Sequence, residues 1–146
     1  EDMFGEIRGA LFALRFQINQ QARNDGNYPL KTMPVNSREA LEWATIGGAK
    51  ALRLDDKIGS LTPGKKADII MLRANDTNLY PVHDPVFAIT DLATGANVEN
   101  VMIDGEFRKR DGKRLYAEKK YNQLRDDLMT SADRLMAESN YRPSAA

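Results

Sequence analysis

The chain has 146 residues, with 21 Lys and Arg against 21 Asp and Glu, so its formal net charge is zero and it lacks the general pull toward nucleic acid or an anionic membrane that a basic surface supplies. The absence of cysteine excludes a disulfide framework and any thiolate metal site, and fits a reducing, cytoplasmic setting. No apolar run approaches the roughly 20 residues of a membrane helix, and the opening EDMFGEIRG is not the basic and apolar start of a signal peptide.

The first 24 residues place Met3, Phe4, Ile7, Ala10, Leu11, Leu14 and Ile18 at helical spacing, with Glu1, Asp2 and Glu6 where a helix N-terminus favours carboxylates. The chain begins without methionine and inside this helix, as a fragment or processed product would. Asn24-Asp25-Gly26-Asn27-Tyr28-Pro29 breaks the pattern with turn residues. A second helix starts at Asn36 or Ser37, and Glu39 completes a capping box if Asn36 is the cap. Its expected buried set is Leu41, Ala44, Gly48, Ala51 and Leu52. Gly47-Gly48 inside it costs about 1 kcal/mol per glycine, which points to close approach of another backbone.

After Leu54 the period changes. Ile58–Leu61 reads as a short strand, and Pro63-Gly64 suits the centre of a type II turn. Ile69-Ile70-Met71-Leu72 reads as a strand covered on both faces. Residues 75–78 read as loop, His83-Asp84-Pro85 punctuates, and Val86–Ile89 is a short apolar segment of either type. Val98–Ile103 reads as a strand that turns at Asp104-Gly105 into Glu106-Phe107-Arg108, and Asp111-Gly112 makes a second turn. From Tyr116 the period is helical again, with Ala117, Tyr121, Leu124, Leu128 and Leu135 on one side; residues 139–146 read as frayed. The strand region is small for an independent sheet domain, so strands from elsewhere are expected to complete it.

The side chains with chemical potential do not assemble. A catalytic zinc site takes three protein ligands, commonly histidines, and His83 is the only histidine. A carboxylate site for magnesium or calcium stays open, although no EF-hand spacing is present. His83, within PVHDP, suits a structural hydrogen bond better than catalysis. Asp55-Asp56 and Asp126-Asp127 are adjacent in sequence and so do not face one point; Asp68 suits fixing the Gly64-Lys65-Lys66 turn rather than acting as a base. Gly64-Lys65-Lys66 lacks the phosphate-loop pattern. Arg108, Lys109, Arg110, Lys113, Arg114, Lys119 and Lys120 form a basic stretch against Asp111 and Glu118; nucleic acid is one use for it and a solvated hairpin the commoner one. Ser37 and Ser60 have no histidine near them in sequence. No catalytic, cofactor-binding or metal-ligating residue is therefore assigned within this chain.

Four stretches, in this order and spacing, carry a resemblance: ALEWATIGGAKAL at 40–52, DDKIGSLTPGKKADIIML at 55–72, PVHDPVFAI at 81–89 and NVENVMIDGEFRKRDGK at 98–113. The chain resembles the C-terminal portion of the amidohydrolase superfamily, in the branch of cytosine deaminases, chlorohydrolases and methylthioadenosine/S-adenosylhomocysteine deaminases. The resemblance implies an α/β parent: a (β/α)₈ barrel that holds a divalent metal, zinc or iron, plus a small composite β-sandwich. Residues 1–54 would be the last barrel helices, 55–115 part of the sandwich, and 116–146 a C-terminal helix and tail.

The same resemblance implies that the metal ligands, histidines and an aspartate at the C-terminal ends of barrel strands, lie before Glu1. In the parent, metal-activated water would attack a ring carbon of a heterocyclic substrate and expel ammonia or halide. The expected partner of this chain is then the missing N-terminal barrel part, and the chain alone is expected to be inactive. The competing readings are a free-standing binding module that kept the sandwich, and a nucleic-acid-binding module built on residues 108–120. The long terminal helix is open to two uses, capping the barrel or meeting a second subunit in a homo-oligomer.

Overall fold

The computed structural model describes residues 2–141, and the chain divides into two compact units, Glu1–Lys113 and Arg114–Ala146. In the first unit, helix α1 (Met3–Asn24) begins at Asp2, whose carboxylate accepts a hydrogen bond from the Phe4 N–H at 3.1 Å. That satisfies one of the free donors of the first turn. Glu6 in the first turn and Arg23 in the last complement the helix dipole. Of the expected stripe, Phe4, Ile7 and Leu11 are buried, while Met3 and Ala10 face outward. The stripe serves two cores in succession: Phe4 packs with Leu79, Ala88, Ala93 and Val98, and Ile7 and Leu11 pack with Val35 and Ala40.

Helix α2 (Ser37–Glu42) carries the expected capping box: Asn36 Oδ1 accepts from the Arg38 and Glu39 N–H groups, and Glu39 Oε2 accepts from the Asn36 N–H at 2.8 Å. The helix then widens into a π-helical stretch (Trp43–Gly47) before α3 (Gly48–Ala51). One inserted residue rotates every later position by about 100°. The expected burial of Gly48, Ala51 and Leu52 is therefore wrong: all three are exposed, and Ala40 and Ala49 are the buried residues. The close approach expected at Gly47-Gly48 also differs. A Cβ on Gly47 would lie 3.0 Å from the Glu42 carbonyl oxygen of its own widened turn. The second backbone arrives at Gly59, where a Cβ would lie 2.7 Å from Ala49 Cβ and 3.0 Å from Ile46 Cα.

Residues 58–61 are not a strand. An isolated extended segment needs a neighbour to bond to, and among the described residues none pairs with it, so the backbone bends around Gly59 and leaves Leu61 82% exposed. The Pro63-Gly64 turn forms as expected, with the Lys65 N–H donating to the Thr62 carbonyl at 3.1 Å. Strands β1 (Ile69–Leu72), β2 (Val98–Ile103), β3 (Glu106–Arg110) and β4 (Lys113–Arg114) form one sheet in sequence order. The β1–β2 and β2–β3 pairs are antiparallel. Asp104 and Gly105 both have positive φ, 52° and 81°, as a type I′ hairpin requires. β1 is an edge strand, and Ile70 and Met71 are exposed, so the expected cover on both faces is not supplied by the described residues. Between β1 and β2, Val86–Ile89 resolves as helical: α4 (Pro85–Phe87) is capped by Asp84 and followed by a π-helical turn (Ala88–Leu92) and a 3-10 turn (Gly95–Asn97).

In the second unit, α5 (Glu118–Ser139) ends at Asn140 in the left-handed conformation. Leu124, Leu128 and Leu135 are exposed. Of the segment expected to fray, residues 142–146 lie outside the described residues. No helix among the described residues is long and apolar enough to cross a membrane.

Candidate functional site

Two polar nodes in the first unit hold its elements in place. At the first, Asp91 is almost fully buried: its Oδ2 accepts hydrogen bonds from the Ser37 hydroxyl at 3.0 Å and the Thr90 hydroxyl at 2.6 Å, and Arg15 of α1 lies 3.6 Å from Oδ1. One helical face of α1 thereby reaches two points of the 84–97 segment, because Arg8 also donates to the Ala93 carbonyl at 2.7 Å. Beside Arg15 opens a cleft of about 320 Å³ lined by Met33, Val35, Ser37, Arg38 and Asp84. Chemically the node is an anchor. The Asp91 carboxylate is committed to two hydroxyls and a guanidinium, and no histidine stands beside Ser37 to make it a nucleophile.

At the second node, Asn97 is 3% exposed and uses its whole amide. Its Nδ2 donates to Asp76 Oδ2 at 2.8 Å and Asn78 Oδ1 at 2.9 Å, and its Oδ1 accepts from the Thr94 N–H at 2.8 Å and from Asn78 Nδ2 at 3.0 Å. Arg73 joins by donating from Nε to Asp76 at 3.0 Å and from Nη2 to the Ala96 carbonyl at 2.9 Å. The Arg73 hydrogen bond, and after it that of Asn97, holds the Asp76 carboxyl below its ordinary range. A fully satisfied network of this kind fixes the 73–79 loop against the start of β2. The residue-type reading of 75–78 as loop missed it, since Asn97 lies 21 residues from Asp76 and only the fold brings them together.

The remaining candidates separate. His83 is exposed, and among the described residues its ring makes no hydrogen bond; the neighbouring Asp84 carries the structural role by capping α4. Asp68 does not fix the Gly64-Lys65-Lys66 turn as expected but accepts from the Asp104 N–H at 2.7 Å, bracing the β2–β3 hairpin. Lys66 pairs with Asp104 at 2.6 Å, which raises the Lys66 pKa, and Lys65 is held by the Asp55 and Ile58 carbonyls. Neither lysine of that turn is left for a phosphate. Asp55 and Asp56 lie exposed in a turn. Ser60 bonds to Thr62, and Asp127 accepts from Gln123 on its own helix.

Four of the seven residues of the basic stretch are also engaged by local partners. Arg108 pairs with Glu106, Lys109 donates to the Val98 carbonyl, and Arg110 lies over the Phe107 ring. In the second unit, Arg114 lies over Tyr121.

A divalent metal does not fit the described residues. Among the described residues, no three His, Cys, Asp or Glu side chains converge to hold an ion. What the first unit does display is apolar surface without cover: Phe12 and Phe16 on the outer face of α1, and a groove of about 410 Å³ between Leu41, Ala44, Ile58, Leu61 and Ile70.

Against known proteins, residues 2–108 match the model of the Amidohydrolase family. The chain is 37% identical over 105 residues to a 5-methylthioadenosine/S-adenosylhomocysteine deaminase of Teredinibacter turnerae, a match covering 72% of this chain and 21% of that protein. Its fold matches the zinc-bound crystal structure of an adenosine deaminase from Xanthomonas campestris with a TM-score of 0.66 and 26% identity, over 88% of this chain and 28% of that one. It also matches the zinc complex of an atrazine chlorohydrolase from Arthrobacter aurescens TC1 with a TM-score of 0.63 and 27% identity, over 81% of this chain and 24% of that one. The chain thus spans between a fifth and three tenths of the length of these relatives. With a family model matched across most of its length, the chain belongs to the amidohydrolase family.

Proposed function

We propose that this chain is the C-terminal part of a metal-dependent hydrolase that removes an amino or halide group from a heterocyclic ring. The observation that carries the reading is the contiguous match of residues 2–108 to the family, continued by relatives that are a deaminase of adenosine-type compounds and a chlorohydrolase of a triazine. In this reading residues 1–54 are the last helices of the barrel, 55–115 belong to the composite sandwich, and 116–146 are the C-terminal helix and tail. The metal, zinc by analogy with the two zinc-bound relatives, is held by the preceding part of the polypeptide. The enzyme works in the cytoplasm.

The chain's own contribution is positional. Arg8 and Arg15 fix α1 at Ala93 and Asp91, and the uncovered side chains Phe12, Phe16 and Leu61 are the surfaces on which the rest of the barrel and sandwich rests. A helix locked at two points along one face transmits the position of its N-terminus to whatever precedes it. The ring is the finer question, and the deaminase relatives favour a purine nucleoside.

The test is a product assay on the longer polypeptide loaded with zinc. Ammonia release from adenosine, 5′-methylthioadenosine or S-adenosylhomocysteine, or chloride release from atrazine, is expected. Failure to release either from any of these rings, together with a monodisperse and cooperatively melting 146-residue chain, would replace the hydrolase reading with that of a free-standing binding module.

A further inference from the structure

The terminal helix carries a surface that the family match, which stops at residue 108, does not address. Along α5, Tyr121, Leu124, Leu128 and Leu135 recur at spacings of three, four and seven, the pattern of a two-helix seam. Leu124, Leu128 and Leu135 are 58%, 69% and 53% exposed. A contiguous exposed apolar stripe of this kind marks an interaction surface.

Charge says what covers it. The N-terminal part of the helix holds Lys119, Lys120 and Arg125 against Glu118, and the C-terminal part holds Asp126, Asp127, Asp133 and Glu138 against Arg134. Two such helices laid antiparallel put the basic part of each along the acidic part of the other. The flanking positions sharpen this. Lys120, Asp127 and Arg134 line one side of the stripe at sevenfold spacing, and Arg125 lies on the other. In an antiparallel pair like flanks meet, and Asp127 falls beside Arg134 of the partner subunit in two reciprocal ion pairs. In a parallel pair opposite flanks meet, and Lys120 falls beside Arg125 of the partner subunit, like against like. Flanking charges set orientation in helix pairs.

We propose that α5 is a self-association surface, which pairs antiparallel with α5 of a second copy of this chain. Leu124 of one copy packs on Leu135 of the partner subunit, and Leu128 packs over the small Ser131 side chain. Among the described residues, Asp127 and Arg134 have intrahelical partners alone, Gln123 and Glu138, each at 2.9 Å, and both are exposed. They are therefore free to make the contact without disturbing a core.

The experiment is sedimentation of the 146-residue chain and two charge reversals, Asp127→Lys and Arg134→Glu, with helix content checked by circular dichroism. The unmodified chain is expected to dimerise. Each reversal places two like-charge contacts where two ion pairs stood and is expected to weaken dimerisation by at least about tenfold. An equimolar mixture of the two variants is expected to recover it, because each variant supplies the charge that the other lost. Oxidation gives the register, since the chain has no cysteine of its own: Leu124→Cys mixed with Leu135→Cys is expected to cross-link between variants and not within either. A monomeric unmodified chain, association indifferent to both reversals, or cross-linking of Leu124→Cys to itself would overturn the proposal.

Discussion

Gly59 offers the sharpest test of how the 55–68 segment is held. Its φ is +85°, and a Cβ there would meet Ala49 Cβ at 2.7 Å, Ile46 Cα at 3.0 Å and the Thr45 carbonyl oxygen at 3.2 Å. Gly64 has nearly the same backbone, φ +92°, and open space around it. Placing alanine at either position costs about 1–2 kcal/mol for the left-handed conformation, offset alike by the loss of unfolded-state freedom. Only Gly59→Ala adds the overpacking cost against the α2–α3 helix, about 1–3 kcal/mol. Gly59→Ala is therefore expected to destabilise by about 2–5 kcal/mol and Gly64→Ala by no more than about 2 kcal/mol. Urea unfolding reads this as a midpoint difference of about 0.5–2 M at unchanged slope. Adding Ala49→Gly to Gly59→Ala removes the nearest atom, so the double variant is expected to lose less than the sum of the singles by about 1 kcal/mol, even though glycine weakens the helix. Equal midpoints for the two alanine variants, with additivity in the double, would refute the close approach.

Three further outcomes follow from the cores and nodes. Leu11→Ala removes a fully buried side chain and is expected to cost about 2–5 kcal/mol in chemical denaturation. Asp91→Ala leaves Arg15 without its counter-ion and the Ser37 hydroxyl without its acceptor, while the Thr90 hydroxyl keeps the Val86 carbonyl at 3.1 Å; a loss of about 2–4 kcal/mol is expected, with Asp91→Asn milder because the amide oxygen still accepts. Asp76, whose carboxyl the native state holds below its ordinary range, contributes stability that is present above the unfolded carboxylate pKa and lost as pH falls through the lower native value. A melting temperature that declines below about pH 4 is expected, and Asp76→Asn should flatten that part of the profile.

Local chemistry was legible and long-range pairing was not. The capping box at Asn36 and Glu39 and the hairpin at Asp104-Gly105 each depend on residues within four positions, so residue type and spacing suffice to find them. The strand at 58–61 was misread because apolar content cannot show whether a partner strand exists. The burial phase beyond Trp43 was misread because a fixed helical period has no place for a π insertion; Gly47-Gly48 was the available signal, and it marked the widened turn itself. Asp68 was assigned to the turn beside it, whereas its partner lies 36 residues on at Asp104. Asn97 and Asp91 escaped notice for the same reason. Each looks like an ordinary loop polar residue until the fold buries it beside its partners.

Zinc content tests the central claim, that the metal of the proposed hydrolase is held outside these residues, most directly. Metal analysis after incubation with zinc and exhaustive dialysis should find far less than one equivalent on the 146-residue chain. It should find at least one equivalent on a longer polypeptide that adds the proposed barrel strands. One tightly held zinc per 146-residue chain would contradict the claim, and would mean that these residues build a metal centre of their own.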